Sequence, residues 1–390
     1  MVRITYIPSL LPGNVMYHCL YPSFRRRTKT ETWTGRSGSP LLDYHFTEIR
    51  HVGLCSIFCK NGKRILGERV LAKLNSCYVY TCESRNPFLQ IFFFTLLTGS
   101  LCIFFNTGWK EVPGPYLSSF HLFTIPLEVL FTYACYYIAC AADPGIITKD
   151  NVKKYMELYP YDGLIFEAKD CTTCKIPKPA RSKHCSMCKG CVARSDHHCA
   201  WVNICIGHNN HRYFLLFLFA LWQFLLYGVY VCFQIYHGKV QSWGLSEAMI
   251  RDAATGQDVP LKFRKAMLYV LQEDRIVGAL GILCAVVSVI VFCFTLYQLY
   301  LLARGMTTNE AFKWEMVQDA IYRGEIWKWV NSKSSSGSGY FYREFEPEET
   351  TRGIPPLKGA RMVKDFAEVP NLYDKGIIKN LVQILFPTEV

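Results

Sequence analysis

Four stretches of this chain stay apolar for longer than a soluble fold tolerates, and they decide what it can become. Residues 88–105 (FLQIFFFTLLTGSLCIFF) carry no charge. Residues 117–142 hold one acid, Glu128, and one internal proline, Pro126; residues 213–236 and 276–302 carry no charge at all. A helix needs about 20 apolar residues to cross the hydrocarbon core of a bilayer. A buried helix of a soluble protein keeps a polar face, and these stretches have none. The expected fold is an all-α polytopic membrane protein with four transmembrane helices, and the lipid bilayer is its first partner. Only 19% of the 390 residues are charged and 51% are hydrophobic, which excludes a disordered chain.

Basic residues near the helix ends set the expected orientation. Lys60, Lys63, Arg64, Arg69, Lys73 and Arg85 precede the first helix. The long connection between the second and third is rich in Lys and Arg from Lys149 to Arg212, and Arg304 follows the fourth; the short connection at 106–116 holds only Lys110. Both termini and the long middle connection are therefore expected in the cytosol, with residues 237–275 lumenal. The organisation read from this is a cytosolic, partly disordered N-terminal region (1–85), two helices (86–142), a cytosolic cysteine-rich domain (143–212), two helices with a lumenal loop (213–302) and a cytosolic C-terminal region (303–390). The N-terminal MVRITYIPSLLPG is broken by two prolines and has no continuous apolar core, so the first helix is expected to act as an uncleaved anchor. Residues 1 to about 45 and the SKSSSGSG run at 332–339 read as flexible. Residues 311–330, with Trp314, Trp327 and Trp329, read as an amphipathic helix lying in the membrane interface. No internal repeat is evident.

Seven of the 18 cysteines fall between Cys171 and Cys205, interspersed with His184, His197 and His198. Three C-x-x-C pairs share the segment: Cys171/Cys174, Cys185/Cys188 and Cys188/Cys191. In a reducing compartment such spacing means metal rather than disulfides, and thiolates with imidazoles suit tetrahedral zinc. Two closed zinc sites use eight ligands, whereas the segment offers ten. The surplus falls in Asp196-His197-His198-Cys199, an acid, imidazoles and a thiol in four consecutive residues. These are the parts of an activated nucleophile, in which an imidazole takes the thiol proton and a carboxylate orients the imidazole.

Residues 171–214, CTTCKIPKPARSKHCSMCKGCVARSDHHCAWVNICIGHNNHRYF, resemble the cysteine-rich domain of the DHHC-type protein S-acyltransferases. Asp143-Pro144-Gly145 after the second helix, Thr307-Thr308-Asn309-Glu310 after the fourth, and Pro370-Asn371-Leu372-Tyr373-Asp374-Lys375-Gly376 with Asn380 beyond it match further motifs of that family. KPARSKHC, GMTTNEAFKW and VPNLYDKG are most similar to its fungal endoplasmic-reticulum branch, which acylates SNARE proteins. The sequence departs from the family at Ala200 and Ile204, where many members have Pro and Asn, and in its long basic N-terminal stretch.

The resemblance implies two structural Zn2+ ions, one held by Cys171, Cys174, His184 and Cys191, the other by Cys185, Cys188, His198 and Cys205. It makes Cys199 the nucleophile, His197 its base and Asp196 the group that orients His197. It implies palmitoyl-CoA as acyl donor, a thioester on Cys199, and transfer to juxtamembrane cysteines of transmembrane proteins such as SNAREs. Trp201 and Phe224 would contact the acyl chain, and Thr307, Thr308, Glu310 and Asn380 would support the site, Thr308 either bonding Asp196 or capping the helix after it. Lys175, Lys178, Arg181 and Lys183 form a basic run suited to CoA phosphates or lipid headgroups. The expected location is the endoplasmic reticulum membrane, with the Golgi as the alternative. The net charge of +12 fits this topology. Nucleic acid is not expected as a partner, because the basic loop is tethered between two spans and carries no helix-borne H-x-x-x-H finger.

Overall fold

Where the sequence runs apolar, the chain is helical. The computed structural model describes Val70, Lys73, Ser76, Tyr80 and residues 84–251, 256–330, 340–344 and 360–390. The flexible stretch read over residues 1 to about 45 and the linker at 332–339 lie outside the described residues. Helices α1 (Phe88–Thr107), α2 (His121–Ala141), α4 (His211–Ser242) and α6 (Arg275–Ala303) are each long and apolar enough to span a membrane. Asn86 starts α1 by accepting the Phe88 N–H at 3.0 Å. α4 is the centre of the bundle, packed against α2 and α6. α1 contributes no buried residue and stands at its edge. Close approach of α4 and α6 rests on two glycines. A Cβ on Gly228 would meet Cys284 Sγ at 3.1 Å, and one on Gly281 would meet Cys232 Cβ at 3.0 Å. At one end of the bundle, the connection read as a loop holds the hairpin β6 (Met249–Arg251)–β7 (Asp258–Pro260) and helix α5 (Phe263–Glu273).

The other end carries the chemistry. Between α2 and α4 lie β1 (Ile146–Ile147), α3 (Val152–Leu158), β2 (Lys183–Cys185), β3 (Gly190–Val192), β4 (His197–Cys199) and β5 (Ile204–Ile206). They form a small sheet in the order β1-β3-β2 and a separate β4–β5 hairpin. The molecule is mostly helical, but this region is hairpins, because ligand pairs anchor turns too short to bury a core of their own. The Asp143-Pro144-Gly145 turn sets the region on the end of α2: Asp143 Oδ2 accepts from the Gly145 N–H and from Asn209 Nδ2, each at 3.0 Å. Gly145 takes φ +91°, a conformation closed to most other residues.

After α6 come α7 (Thr308–Tyr322), the sheet β10-β8-β9 (β8 Ile326–Val330, β9 Tyr340–Glu344, β10 Arg361–Met362) and α8 (Ile377–Leu385). The single interfacial helix expected over 311–330 is not there. α7 stops at Tyr322, Gly324 at φ +75° turns the chain, and Ile326–Val330 is a strand. Trp314 and Trp327 are buried rather than laid on a bilayer. Trp314 belongs to one core with Tyr155, Tyr159 and Ala180 of the cysteine-rich region and Leu301 of α6. The helix with an exposed apolar face is α8, through Ile377, Ile378, Val382 and Leu385, while Asn380 and Ile384 are buried. Two aromatics of α4, Phe214 and Phe217, are buried as well.

Candidate active site and metal centres

Two sets of side chains converge as metal sites. The donor atoms of Cys171, Cys174, His184 and Cys191 all lie within 4.8 Å of one another, as do those of Cys185, Cys188, His198 and Cys205. The sulfurs of the first set stand 3.2–3.9 Å from His184 Nδ1, and those of the second 3.4–3.7 Å from His198 Nδ1. A tetrahedral zinc shell separates a thiolate from an imidazole nitrogen by roughly 3.6 Å. Both donor sets fit one zinc ion each, with Nδ1 as the imidazole ligand. In the Cys171/Cys174 and Cys185/Cys188 turns the second cysteine's N–H donates to the first sulfur at 3.4 Å.

The two centres repeat one another, which corrects the expectation of a chain without an internal repeat. Adding fourteen to 171, 174, 184 and 191 gives 185, 188, 198 and 205. The hairpins obey the same shift. Lys183 pairs with Val192, His184 with Cys191 and Cys185 with Gly190; His197 pairs with Ile206, His198 with Cys205 and Cys199 with Ile204. The ligands interleave, since neighbouring residues of β2, His184 and Cys185, serve different centres.

β4 presents His197 and Cys199 on one side of its hairpin and His198 on the other, as alternation along a strand requires. His197 Nδ1 donates to Asp196 Oδ2 at 2.6 Å, which leaves Nε2 for the Cys199 thiol. Burial pushes the His197 pKa down, but the Asp196 carboxylate and the Cys199 sulfur outweigh it and raise it to about 10. Burial pushes the Cys199 thiol up; the hydrogen bond and charge of His197, with the backbone N–H groups of Val202 and Trp201, more than offset this and lower it. Burial likewise raises Asp196, yet its bond to His197, nearby charge and the Thr308 N–H hold it well below the usual carboxylate range.

Thr308 reaches Asp196 twice, through its N–H to Oδ1 at 2.6 Å and through its hydroxyl to Oδ2 at 2.9 Å. Gln298 of α6 donates to the same hydroxyl at 3.2 Å. The helix cap is the preceding residue. Thr307 accepts from the Glu310 N–H at 3.2 Å while Glu310 accepts from the Thr307 N–H at 3.0 Å, a reciprocal capping box. Glu310 is also gripped by Arg181 through two bonds of 2.6 Å, and Arg181 Nη2 donates to the Gly305 carbonyl at 2.8 Å. Arg181 is 1% exposed, its guanidinium 4.5 Å from the centre of the Tyr373 ring. This corrects the reading of Arg181 as a phosphate ligand: it is committed inside the fold, and only Lys175, Lys178 and Lys183 of that run remain accessible. Asn380 Nδ2 donates to the Ala303 carbonyl at 3.1 Å and Asn371 Nδ2 to that of Arg304 at 3.0 Å. Asn380 thus satisfies the last carbonyl of α6, and Asn371 and Arg181 satisfy the two just beyond it.

Cys199 and Val202 share an apolar cluster with Cys135, Tyr136, Phe214, Phe217 and Leu221, against which Phe93 and Phe224 pack. Tyr136 donates to the Trp201 carbonyl at 3.0 Å, and Asn203 to Gln90 at 3.5 Å, tying the turn after Cys199 to α2 and α1. Trp201 is half exposed, its ring 6.3 Å from Phe93. Phe93 and Phe224 line a cavity of about 130 Å³ among α1, α2, α4 and α6, whose walls include Leu221, Leu225 and Cys284. Gln90, Tyr136, Asn203 and Gln298 were not singled out in the sequence. Gln298 had a signal, a lone amide in an apolar span.

A family model described as DHHC palmitoyltransferase matches residues 165–315. The chain is 30% identical over 365 residues to palmitoyltransferase swf1 of Emericella nidulans, covering 82% of this chain and 84% of that one. It is 31% identical over 341 residues to palmitoyltransferase swf1 of Aspergillus fumigatus, covering 77% and 88%. It is 38% identical over 244 residues to palmitoyltransferase SWF1 of Debaryomyces hansenii, covering 61% and 60%. With its cysteine-rich region set between the second and third of four apolar helices, the chain belongs to the DHHC palmitoyltransferase family, on its fungal Swf1 branch, and is a protein S-palmitoyltransferase.

Proposed function

We propose that the chain moves a long-chain acyl group, palmitoyl, from acyl-CoA through a thioester on Cys199 to juxtamembrane cysteines of transmembrane proteins of the SNARE type. The observation that carries this is the line Asp196–His197–Cys199 at an apolar cluster that runs on into the cavity among the helices. His197 Nε2 takes the Cys199 proton, and the thiolate attacks the acyl carbonyl. The bond to CoA sulfur breaks, and the CoA thiolate leaves with the proton held by His197. In the second half, His197 takes the proton of a substrate thiol. That sulfur attacks the Cys199 thioester, and Cys199 leaves as a thiolate that His197 reprotonates. Asp196, fixed by Thr308, keeps the His197 proton on Nδ1 throughout. Phe224 contacts the chain within the cavity, and Trp201 lies beside its entrance. Lys175, Lys178 and Lys183 are the groups for the CoA phosphates. Cys171, Cys174, His184 and Cys191, and Cys185, Cys188, His198 and Cys205, would each close around one zinc ion, which would hold the hairpins in shape.

The basic residues at the cysteine-rich end support a cytosolic placement of that end and of both termini. Cysteines gathered as metal ligands rather than disulfides at both centres also favour a reducing side. The sequence resemblance supports the endoplasmic reticulum membrane, with the Golgi as alternative. A site among the ends of α2 and α4 favours cysteines close to a membrane span, so moving an acceptor cysteine about ten residues away from the span should abolish its acylation. Alkyne-palmitoyl-CoA should label the purified protein in a hydroxylamine-sensitive way, and Cys199→Ala should remove the label. Undiminished label on Cys199→Ala would overturn the assignment.

A further inference from the structure

The fourteen-residue repeat does not end with the second metal centre. The Cys171/Cys174 and Cys185/Cys188 turns are each followed by a residue in the left-handed region: Lys175 at φ +55° after Cys174, and Lys189 at φ +55° after Cys188. Fourteen residues on, Asn203 has φ +56°. The turn it closes, Cys199-Ala200-Trp201-Val202-Asn203, stands in register with Cys171–Lys175 and Cys185–Lys189. The N–H groups two and three residues on bear on the first sulfur in both the first turn, from Thr173 and Cys174, and this one, from Trp201 and Val202. What the third turn lacks is donors for a metal. Residues 202, 212 and 219 are Val, Arg and Phe, where the centres have Cys, His and Cys. Val202, 1% exposed, packs into the apolar cluster of Cys199, Phe214 and Leu221. The sulfur that would face zinc in the other two turns here meets a surface suited to an acyl chain.

We infer that Cys199 is presented to its substrate by a zinc-knuckle turn that has lost its metal, and that Asn203 is the positioning residue that maintains it. The inference rests on the reading of Cys199 as the nucleophile. Without an ion to fix it, the turn depends on the left-handed residue and on the tie of the Trp201 carbonyl to Tyr136. Asn is among the few side chains at ease there, and a β-branched residue is not. Lys occupies the equivalent position twice in this chain.

The test uses the full chain in nanodiscs with alkyne-palmitoyl-CoA, following thioester formation on Cys199 over a range of donor concentrations, with zinc counted in each variant. Asn203→Gly and Asn203→Lys should load within roughly threefold of wild type, since both accept the backbone conformation. Asn203→Val should lose on the order of 100-fold in maximal loading rate, the scale of a small misplacement of a reacting group. Its KM for the donor should be unchanged and its zinc retained. Wild-type loading by Asn203→Val overturns the proposal. So does a loss in Asn203→Gly and Asn203→Lys as large as in Asn203→Val. If Asn203→Val sheds zinc, the Gly and Lys variants decide alone, activity supporting the knuckle and inactivity overturning it. Absence of label on wild-type Cys199 would instead overturn the underlying assignment of the nucleophile, and the inference with it.

Discussion

Three donors converge on the Asp196 carboxylate: the His197 ring, the Thr308 N–H and the Thr308 hydroxyl. Thr308→Val keeps the shape and the N–H and removes one bond to a charged acceptor, so thioester loading should fall roughly tenfold with zinc unchanged. Unchanged loading would show that the backbone bond suffices. A second residue-scale prediction concerns Lys313, which donates to the Ile165 carbonyl at 2.8 Å and lies over the Phe166 ring. Burial first, then Lys169 and Lys178, lower its pKa to about 8. A lysine depressed in the fold binds its proton more weakly there than in the unfolded chain, so stability rises with pH between about 8 and its ordinary value near 10.4. Wild-type Tm should climb across that window, and Lys313→Met should flatten the climb; an identical slope in the variant would refute it. The ligand pairs and the Asp-His-His-Cys run were legible because their partners are close in sequence. Arg181 was misread because what decides its role, Glu310, lies 129 residues away.

Length and hydrophobicity disclosed the four spanning helices to within a few residues, except that α4 continues to Ser242. They did not disclose the architecture beyond α6. The tryptophans of 311–330 suggested an interface, but amphipathicity cannot say whether an apolar face meets lipid or protein, and here it meets the cysteine-rich region. Gly324 was the available sign that the helix ends early. The 308–322 helix is joined to the cysteine-rich region by the buried Arg181–Glu310 pair, whose side chains are 2% and 1% exposed. Breaking a buried pair leaves an uncompensated charge. Arg181→Leu should destabilise the protein by about 3–5 kcal/mol, and Arg181→Leu/Glu310→Met should recover much of that. Thermal unfolding of the three proteins checks it. A selective loss of CoA affinity in stable Arg181→Leu would restore the phosphate-binding reading.

Across the whole molecule, interleaving makes the two metal centres one unit. Cys174→Ser attacks only the first set, yet β2 carries His184 and Cys185 side by side, one for each centre. Metal analysis should therefore find the zinc content of the variant falling from about two ions per chain toward none; a stable species with one would refute the coupling. The resemblance named the ligand sets, and the paired strands show that their fourteen-residue spacing is a structural register, although most residues between the ligands differ. The bond between Asp196 and Thr308 spans 112 residues of sequence, which include both α4 and α6. Chains emerge from the ribosome in order. The thiol of Cys199 and its imidazole are therefore synthesised well before the residue that locks their acid. A nascent chain halted between them holds Cys199 and His197 without the Thr308 bonds to Asp196. Asp196 can therefore acquire its Thr308 bonds only after the last two apolar helices have been made.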